Sequence, residues 1–310
     1  MKFSARFSYL TVLVALGVIM MGCGGGQSIN EMTGHQLLDA GQAAYQKGKY
    51  LTSIDLFQAC LYNFPGRSFV DTAQYYLALS YFGNKEYEVA QVEFNRLALN
   101  YPASVYFEQS LFMRAVCYFE SAPDHFGLDQ ESARTAIVQL EDFIVDFPES
   151  PVVADAQKYL TTARTRLARK QFESGVVYSR MGAREAAKLY FQTVIDDYTD
   201  TEFAAQASFM LAEQEFALKH YDQASRKFSD FQIVFPEHEL APKARQKAAE
   251  AAFKDAQSEF RKENLESARA KSEQLQSDYP GTKWADKASD LINKIAELMP
   301  AAGSPQDAES

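Results

Sequence analysis

The chain has 310 residues, 47% hydrophobic and 13% aromatic, so it is long enough for a large buried core or a continuous array of repeats. Its formal net charge of −10 disfavours nucleic acid as a partner, and its few Gly and Pro residues exclude a low-complexity chain. No Ser-His-Asp order, HExxH, phosphate-binding loop or dinucleotide glycine pattern occurs, so we expect no enzyme activity, cofactor or metal.

The N-terminus has the parts of an export signal. Lys2 and Arg6 form a basic start, and residues 10–21 form an apolar run that is too short to span a bilayer. The stretch Met20-Met21-Gly22-Cys23 resembles the lipoprotein box, in which a small residue precedes an acylated Cys. The alternative is an ordinary secretory signal, cut after a small residue.

We therefore predict a lipoprotein signal peptide at 1–22, palmitate-type lipidation at Cys23 and a Gly-rich tether at 23–30. Gly24 follows Cys23 in place of the Asp that holds many enteric lipoproteins in the inner membrane, which favours the outer membrane.

Six segments align without gaps on one small residue and predict a repeat. The anchors are Ser53, Ala90, Ala136, Ala187, Ala224 and Ala268. Four residues later stand Phe57, Phe94, Leu140, Phe191, Phe228 and the departing Ser272. Eleven residues later every copy has an aromatic residue, and one position further all copies but the fourth have Pro. These offsets share one helix face, so the small anchor admits a close partner helix and Pro ends the helix.

Each anchor helix follows another helix, as in the helix–turn–helix unit of a tetratricopeptide repeat. The stretch "LLDAGQAAYQKGKY" places Gly41, Gly48 and Tyr50 before Ser53 in the order typical of that repeat. A Ser or Thr after the Pro position is expected to cap the next helix, at Ser68, Ser104, Ser150, Thr201 and Thr282. We predict an all-α, tetratricopeptide-like helical-repeat solenoid of about six helix pairs.

The distance from the Pro position to the next anchor locates three insertions. Relative to the regular 25 residues, nine are added in the third unit around "ESAPDHFGLDQES", which reads as a loop. Fourteen are added in the uninterrupted helical stretch that follows Pro148, and seven before Ala268. The fourteen predict one long helix that joins two lobes, 31–150 and 151–299. The stretch "WADKASDLINKIAELM" should cap the array, and 300–310 should be a disordered tail.

Cys60 and Cys117 lie within helical patterns and form no CxxC motif. Buried small apolar residues are the simpler interpretation, and a disulfide in an oxidising compartment stays open.

The inner wall of such a solenoid is formed by the first helix of each unit and can hold an extended peptide. The candidate groove residues are Gln42, Tyr45, Tyr75, Leu79, Phe82, Phe112, Val116 and Phe119. Packing between adjacent units explains these side chains equally well.

A basic row on the long helix is a candidate docking surface for an acidic partner. It consists of Arg164, Arg166, Arg169 and Lys170. Residues 30–150 hold 16 acids and 7 bases, so the row contrasts with an acidic first part of the chain. The alternative is a solvated helix face with acids nearby.

Taken together, these features resemble the BamD family of outer-membrane assembly lipoproteins. The likeness covers about residues 30–240 and includes "YFGNKEYEVAQVEFNRLALNYP", "LFMRAVCYFESAPDHFGLDQESARTAI" and "FPESPVVADAQKYLTTARTRLARKQFE". Three pairs typical of that family are matched by Met113-Arg114, Asp129-Gln130 and Leu167-Ala168. The chain departs from the family at Gln171, where Glu is frequent, and by its sixth unit.

The resemblance implies a non-enzymatic scaffold of the BAM complex, lipid-anchored at the periplasmic face of the outer membrane. Its C-terminal lobe would dock to a BamA-type insertase and other lipoproteins of the machinery. Its N-terminal lobe would engage unfolded outer-membrane β-barrel proteins by their C-terminal aromatic signal. The alternative is a soluble periplasmic repeat adaptor of the Tol and cell-division type, which has no acylation site. A repeat-bearing peptidoglycan hydrolase would need a catalytic domain, and none fits between residues 30 and 299.

Overall fold

The computed structural model describes residues 28–299. The predicted signal peptide, the lipidation site Cys23, the tether up to residue 27 and the tail at 300–310 lie outside the described residues. Within residues 28–299 the chain is all-α, with thirteen α-helices, one short 3-10 helix and no strand. No helix in this range is both long and apolar enough to cross a membrane.

The chain divides into two compact units, Met1–Tyr118 and Phe119–Ser310. The first unit holds the 3-10 turn Ile29–Glu31, α1 (Gly34–Gln46), α2 (Tyr50–Asn63), α3 (Val70–Gly83), α4 (Tyr87–Asn100) and most of α5 (Phe107–Ser121). The second unit holds α6 (Glu131–Asp146), α7 (Val153–Arg180), α8 (Arg184–Asp197), α9 (Phe203–Ala217), α10 (Tyr221–Val234), α11 (Ala241–Arg261), α12 (Leu265–Asp278) and α13 (Lys283–Leu298). The lobe boundary expected at residue 150 stays a prediction.

Consecutive helices pack side by side from α1 to α4 and from α6 to α13, as the tetratricopeptide-like pattern predicts, and Phe94 on α4 shares an apolar cluster with Cys117 on α5. All six small anchors are fully buried, and so are the large side chains four residues after them in the first five copies. Gly41 and Gly175 show why small residues are needed across from these rings, because a Cβ would lie 2.7 Å from Phe57 and from Phe191 respectively. The predicted fold class is therefore confirmed in the described residues.

The predicted insertions are confirmed in kind and in length. The regular helix α3 has 14 residues, whereas α7 has 28 and α11 has 21. In the third unit the loop 122–130 between α5 and α6 has nine residues where the regular turn has three, and the rest of the insertion lengthens α5 and the start of α6.

The second helix of each repeat ends at an aromatic residue. Phe64, Tyr101, Phe147, Tyr198, Phe235 and Tyr279 all stand at the C-cap with φ between −127° and −132°. Tyr198 does so although Thr199 replaces the usual Pro, so the packed aromatic ring fixes this helix end even where Pro is missing.

The expectation that the Ser or Thr after the Pro position caps the next helix is wrong for most copies. Thr282 does cap α13 by accepting a hydrogen bond from the backbone N–H of Ala285. In contrast, α3, α7 and α9 begin after Phe69, Val152 and Glu202, without a side-chain cap. The hydroxyl-bearing residue stands before these N-caps and takes part in the preceding turn, as when Thr201 donates to the Tyr198 carbonyl.

Cys60 and Cys117 are buried and form no disulfide, which agrees with their interpretation as small apolar residues. Burial raises the pKa of Cys60 to about 11, so this thiol is protonated at neutral pH.

Candidate functional site

A continuous run of five tyrosine rings crosses the first unit. In spatial order the tyrosine run is Tyr50, Tyr45, Tyr76, Tyr75 and Tyr106. Centroids of neighbouring rings lie between 4.4 and 5.8 Å apart, and the closest pair, Tyr75 and Tyr106, is stacked. The rings come from α1, α2, α3 and the turn before α5, so the run links both helix pairs of this unit.

Two buried phenylalanines of the repeat core support the tyrosine run. Tyr76 stacks on Phe57 at 5.9 Å, and Tyr75 meets the edge of Phe94 at the same distance. Phe57 and Phe94 are the fully buried residues four positions after their anchors. The repeat pattern therefore holds the tyrosine rings over two fixed points of the core.

Each tyrosine of the run is half-buried, and none of the five hydroxyls bonds to another described residue. Burial and the neighbouring tyrosines raise the pKa of Tyr75 to about 12, so this hydroxyl stays protonated at physiological pH. Flat apolar faces beside free hydroxyl groups can stack on side chains and also hydrogen-bond a peptide backbone. The run is thus the best-formed candidate for a peptide-binding surface in the described part of the chain.

The predicted groove residues divide into two sets. Gln42, Tyr45, Tyr75, Leu79 and Phe82 are half-buried and keep accessible surface. Phe112, Val116 and Phe119 are buried, with at most 7% exposed, and have little surface to offer a ligand. Tyr45 and Phe82 also pack within their own repeats, against Tyr50 and Tyr87. A binding role for all eight residues stays a prediction.

Sequence reasoning missed Tyr50, Tyr76 and Tyr106 as members of the surface. Tyr76 is adjacent to Tyr75 in the sequence. A pattern that places one face of each first helix on the inner wall selects Tyr75 and leaves out the residue next to it. Tyr106 lies in the turn ahead of α5, and its bulky position four residues after Pro102 is the signal that could have found it.

The basic row on α7 is mostly engaged within the second unit. Arg164 donates two-pronged hydrogen bonds to Asp200 at 2.8–3.1 Å and a further bond to the Asp197 carbonyl at 2.7 Å. The hydrogen bonds with Asp200 raise the pKa of Arg164 above its ordinary value. Arg164 therefore ties α7 to the turn between α8 and α9.

Two further members of the row hold the inserted loop. The Arg166 guanidinium lies 4.1 Å from the Phe119 ring centroid and donates to the carbonyls of Phe119 and Ala122. Lys170 donates to the Leu128 carbonyl at 2.5 Å. Arg169 is exposed and pairs with no described residue, so it is the member of the row most available to a partner.

The second unit also buries one carboxylate, Glu215 on α9. Its oxygens lie 2.9 Å from Lys188 Nζ and 2.9 Å from His220 Nδ1. Across residues 28–299, no three His, Cys, Asp or Glu side chains are grouped as a metal site would require.

Comparison with known proteins identifies related sequences. The profile of a family described as YfiO, outer membrane lipoprotein, matches residues 30–229. The chain is similar to the outer membrane protein assembly factor BamD of Rickettsia prowazekii, with 25% identity over 231 residues, covering 73% of this chain and 91% of the relative. It is similar to BamD of Vibrio cholerae, with 24% identity over 212 residues, covering 65% of this chain and 88% of the relative.

Among solved structures, the chain is similar to the TPR2AB domain of yeast Sti1 in its pHSP90 complex. That similarity has a TM-score of 0.38 and 14% identity, covering 85% of this chain and 98% of the other. The helices α11, α12 and α13 lie beyond the residues that the YfiO profile matches.

Proposed function

Because the chain belongs to the YfiO family of outer membrane lipoproteins, the family of BamD, we propose that it serves outer membrane protein assembly as a lipid-anchored, non-enzymatic scaffold. The family match over residues 30–229 carries this proposal, since it extends through the first unit and most of the second. Its relatives are outer membrane protein assembly factors, which supports a place at the periplasmic face of the outer membrane.

The tyrosine run of the first unit would hold unfolded outer-membrane β-barrel proteins. Barrel strands alternate apolar and polar residues, so an extended segment presents apolar side chains together with free backbone groups. The ring faces of Tyr45 and Tyr75 can pack against the apolar side chains of such a segment. The unbonded tyrosine hydroxyls can form hydrogen bonds with its backbone groups. Gln42, Leu79 and Phe82 would extend this surface.

The second unit would dock to a BamA-type insertase and to other lipoproteins of the machinery. Arg169 is the row residue that is open to an acidic partner, because Arg164, Arg166 and Lys170 are bonded within the unit. Those three would then act indirectly, by fixing the surface around Arg169.

A Cys23→Ser variant tests the anchor and the assembly role together. We expect the wild-type chain to carry lipid on Cys23, to fractionate with outer membranes and to co-purify with a BamA-type insertase. The variant should lose the lipid and the membrane association. An unlabelled wild type that leaves membranes in a salt wash would support the soluble adaptor instead, whereas labelling without co-purification would retain the anchor and reject the assembly role.

The tyrosine run has its own test in the binding of a urea-denatured β-barrel protein. Tyr75→Phe and Tyr106→Phe keep the rings and remove two hydroxyls, so we expect roughly tenfold weaker binding when they are combined. Tyr62→Phe is the matched control, because Tyr62 is exposed and lies outside the run. Equal binding by all three chains would reject the hydroxyl contacts.

A further inference from the structure

One edge of the first unit is formed by the start of α1 and by the two turns that follow α2 and α4. Cys60 Sγ, near the end of α2, lies 3.6 Å from the Gly34 carbonyl oxygen at the start of α1. Ser104 of the turn after α4 donates to Asp71 at 2.7 Å, at the start of α3. These contacts place the chain's entry into the first unit and both turns along one side, which we call the tether edge.

The tether edge carries the most exposed large apolar side chains of the first unit. Tyr62 is 87% exposed, Val105 is 80% exposed and Leu99 is 73% exposed. Each stands at the end of a second helix or in the turn that follows it. None of them contributes to the core, and water-exposed apolar side chains grouped in this way typically mark a contact surface.

Charge distinguishes this edge from the opposite one. The two turns, 64–69 and 101–106, contain a single charged residue, Arg67, and no carboxylate. The turns at the opposite edge, between the helices of each pair, contain Lys47, Lys49, Lys85 and Glu86. The two turns thus bring one cation and no carboxylate of their own to this edge, and Asp71 at the start of α3 is held by Ser104, so few charges lose water when the edge enters the headgroup region.

The length of the chain before the first unit limits how far this edge can be from the membrane. Five residues, 24–28, separate Cys23 from Ile29, where the 3-10 turn begins. Fully extended, the chain from Cys23 to Ile29 spans about 21 Å. A lipid on Cys23 would therefore keep the start of the first unit within that distance of the bilayer surface.

We propose that the tether edge rests on the lipid bilayer, with Tyr62, Leu99 and Val105 in the headgroup region. The inference rests on the lipid anchor of the proposed function. Tyrosine is enriched at membrane interfaces because its ring is apolar and its hydroxyl is polar. The contact area is small. However, the lipid anchor already holds the chain at the membrane, so the effective concentration of lipid at this edge is high and even a weak contact can form. Its result is that the tyrosine run is held at a fixed height beside the membrane.

The test places a fluorophore at single introduced cysteines of the full, acylated chain in vesicles of phosphatidylethanolamine with a minor share of phosphatidylglycerol. Tyr62→Cys, Leu99→Cys and Val105→Cys report on the tether edge. Leu51→Cys and Lys85→Cys are matched exposed controls at the opposite edge. The native thiols Cys60 and Cys117 are buried, so labelling is confined to the introduced site. We expect a blue shift, and quenching by brominated lipid, at the three tether-edge sites alone.

Three results would overturn the inference. If mass spectrometry finds Cys23 unmodified, the anchor and the inference both fail. If Cys23 is acylated but no site is quenched, or both edges are quenched equally, the anchor stands and the lipid contact is rejected. If the tether-edge sites are open to a maleimide in vesicles but protected in isolated outer membranes, the edge is covered by a protein partner and not by lipid.

Discussion

Glu215 shows at the scale of one residue how a charge is retained inside a helical repeat. Only 3% of its side chain is exposed. Burial by itself would raise the pKa of this carboxyl, but hydrogen bonds from Lys188 and His220 outweigh it and lower the pKa below the ordinary 4.5. Glu215 on α9 thus binds one side chain from α8 and one from the turn before α10.

Replacing Glu215 with Gln should reduce the free energy of unfolding by about 1.5–3 kcal/mol at neutral pH, because charge-assisted hydrogen bonds are lost. Since the folded pKa is lowered, the stabilisation is present above about pH 4.5 and is lost as the pH falls through the folded value. The stability difference between wild type and E215Q should therefore shrink below pH 4.5. Urea unfolding monitored by Trp284, the single tryptophan, measures it.

Glu185→Gln is the control, since Glu185 pairs with the same lysine at 3.1 Å but has 67% of its side chain exposed. We expect a change within about 0.5 kcal/mol for this variant. Equal losses for both variants, or a loss that persists unchanged at pH 3, would contradict the buried charge pair.

At the scale of the element, the turn between the two helices of a repeat has one position with a left-handed backbone. Five residues occupy it, each five positions before its anchor: Gly48, Lys85, Gly182, Lys219 and Glu263. Their φ values lie between 63° and 79°. Glycine adopts this conformation freely, whereas a Cβ makes it costly, so three repeats retain local strain.

Replacing Lys219 with Gly should stabilise the chain by up to about 1 kcal/mol, because the left-handed conformation no longer costs energy. Thermal unfolding followed by circular dichroism measures the effect. Lys219→Ala retains a Cβ and should give no such gain. A gain with Ala as large as with Gly would show that the lysine charge, and not the backbone, is responsible.

Elements and their lengths were largely predictable from the sequence, because anchors, aromatic ends and insertions are all local patterns. The cap expected at Ser150 was wrong because it was placed by distance from Pro148, whereas packing starts α7 three residues later, after Val152. The ring contacts of Tyr75 with Tyr106 could not be predicted, since they depend on how neighbouring repeats are rotated. The same holds for Arg166, whose partners lie in a loop over 40 residues away in sequence.

At the scale of the whole molecule, the helices beyond the family match complete the core of the second unit. Phe228 and Phe231 on α10 share one apolar cluster with Phe253 on α11 and with Trp284 and Ile295 on α13. Phe253 and Trp284 lie 5.5 Å apart between ring centroids. The final helices thus cover apolar surface that would otherwise face water, as terminal repeats generally must.

A chain that ends at Leu240 should lose at least about 3 kcal/mol of stability in the second unit and bind a hydrophobic dye, because Phe228 and Phe231 become exposed. Circular dichroism during urea unfolding is the measurement, since Trp284 is removed. A chain that ends at Met299 is the control and should unfold like the full chain. Unchanged stability of the shorter chain would mean that α11–α13 form a separate folding unit.

The helix lengths of 14, 21 and 28 residues form a series in steps of seven. Seven residues are close to two full turns, so each step rotates the packing face by only about 20°. Length in this array can therefore change in whole heptads without turning a buried side chain outward, while an addition of five residues would rotate the face by about 140°. Insertions of seven residues into α3 or α9 should therefore keep the same side chains buried. Insertions of other lengths should be tolerated only in loops such as 122–130.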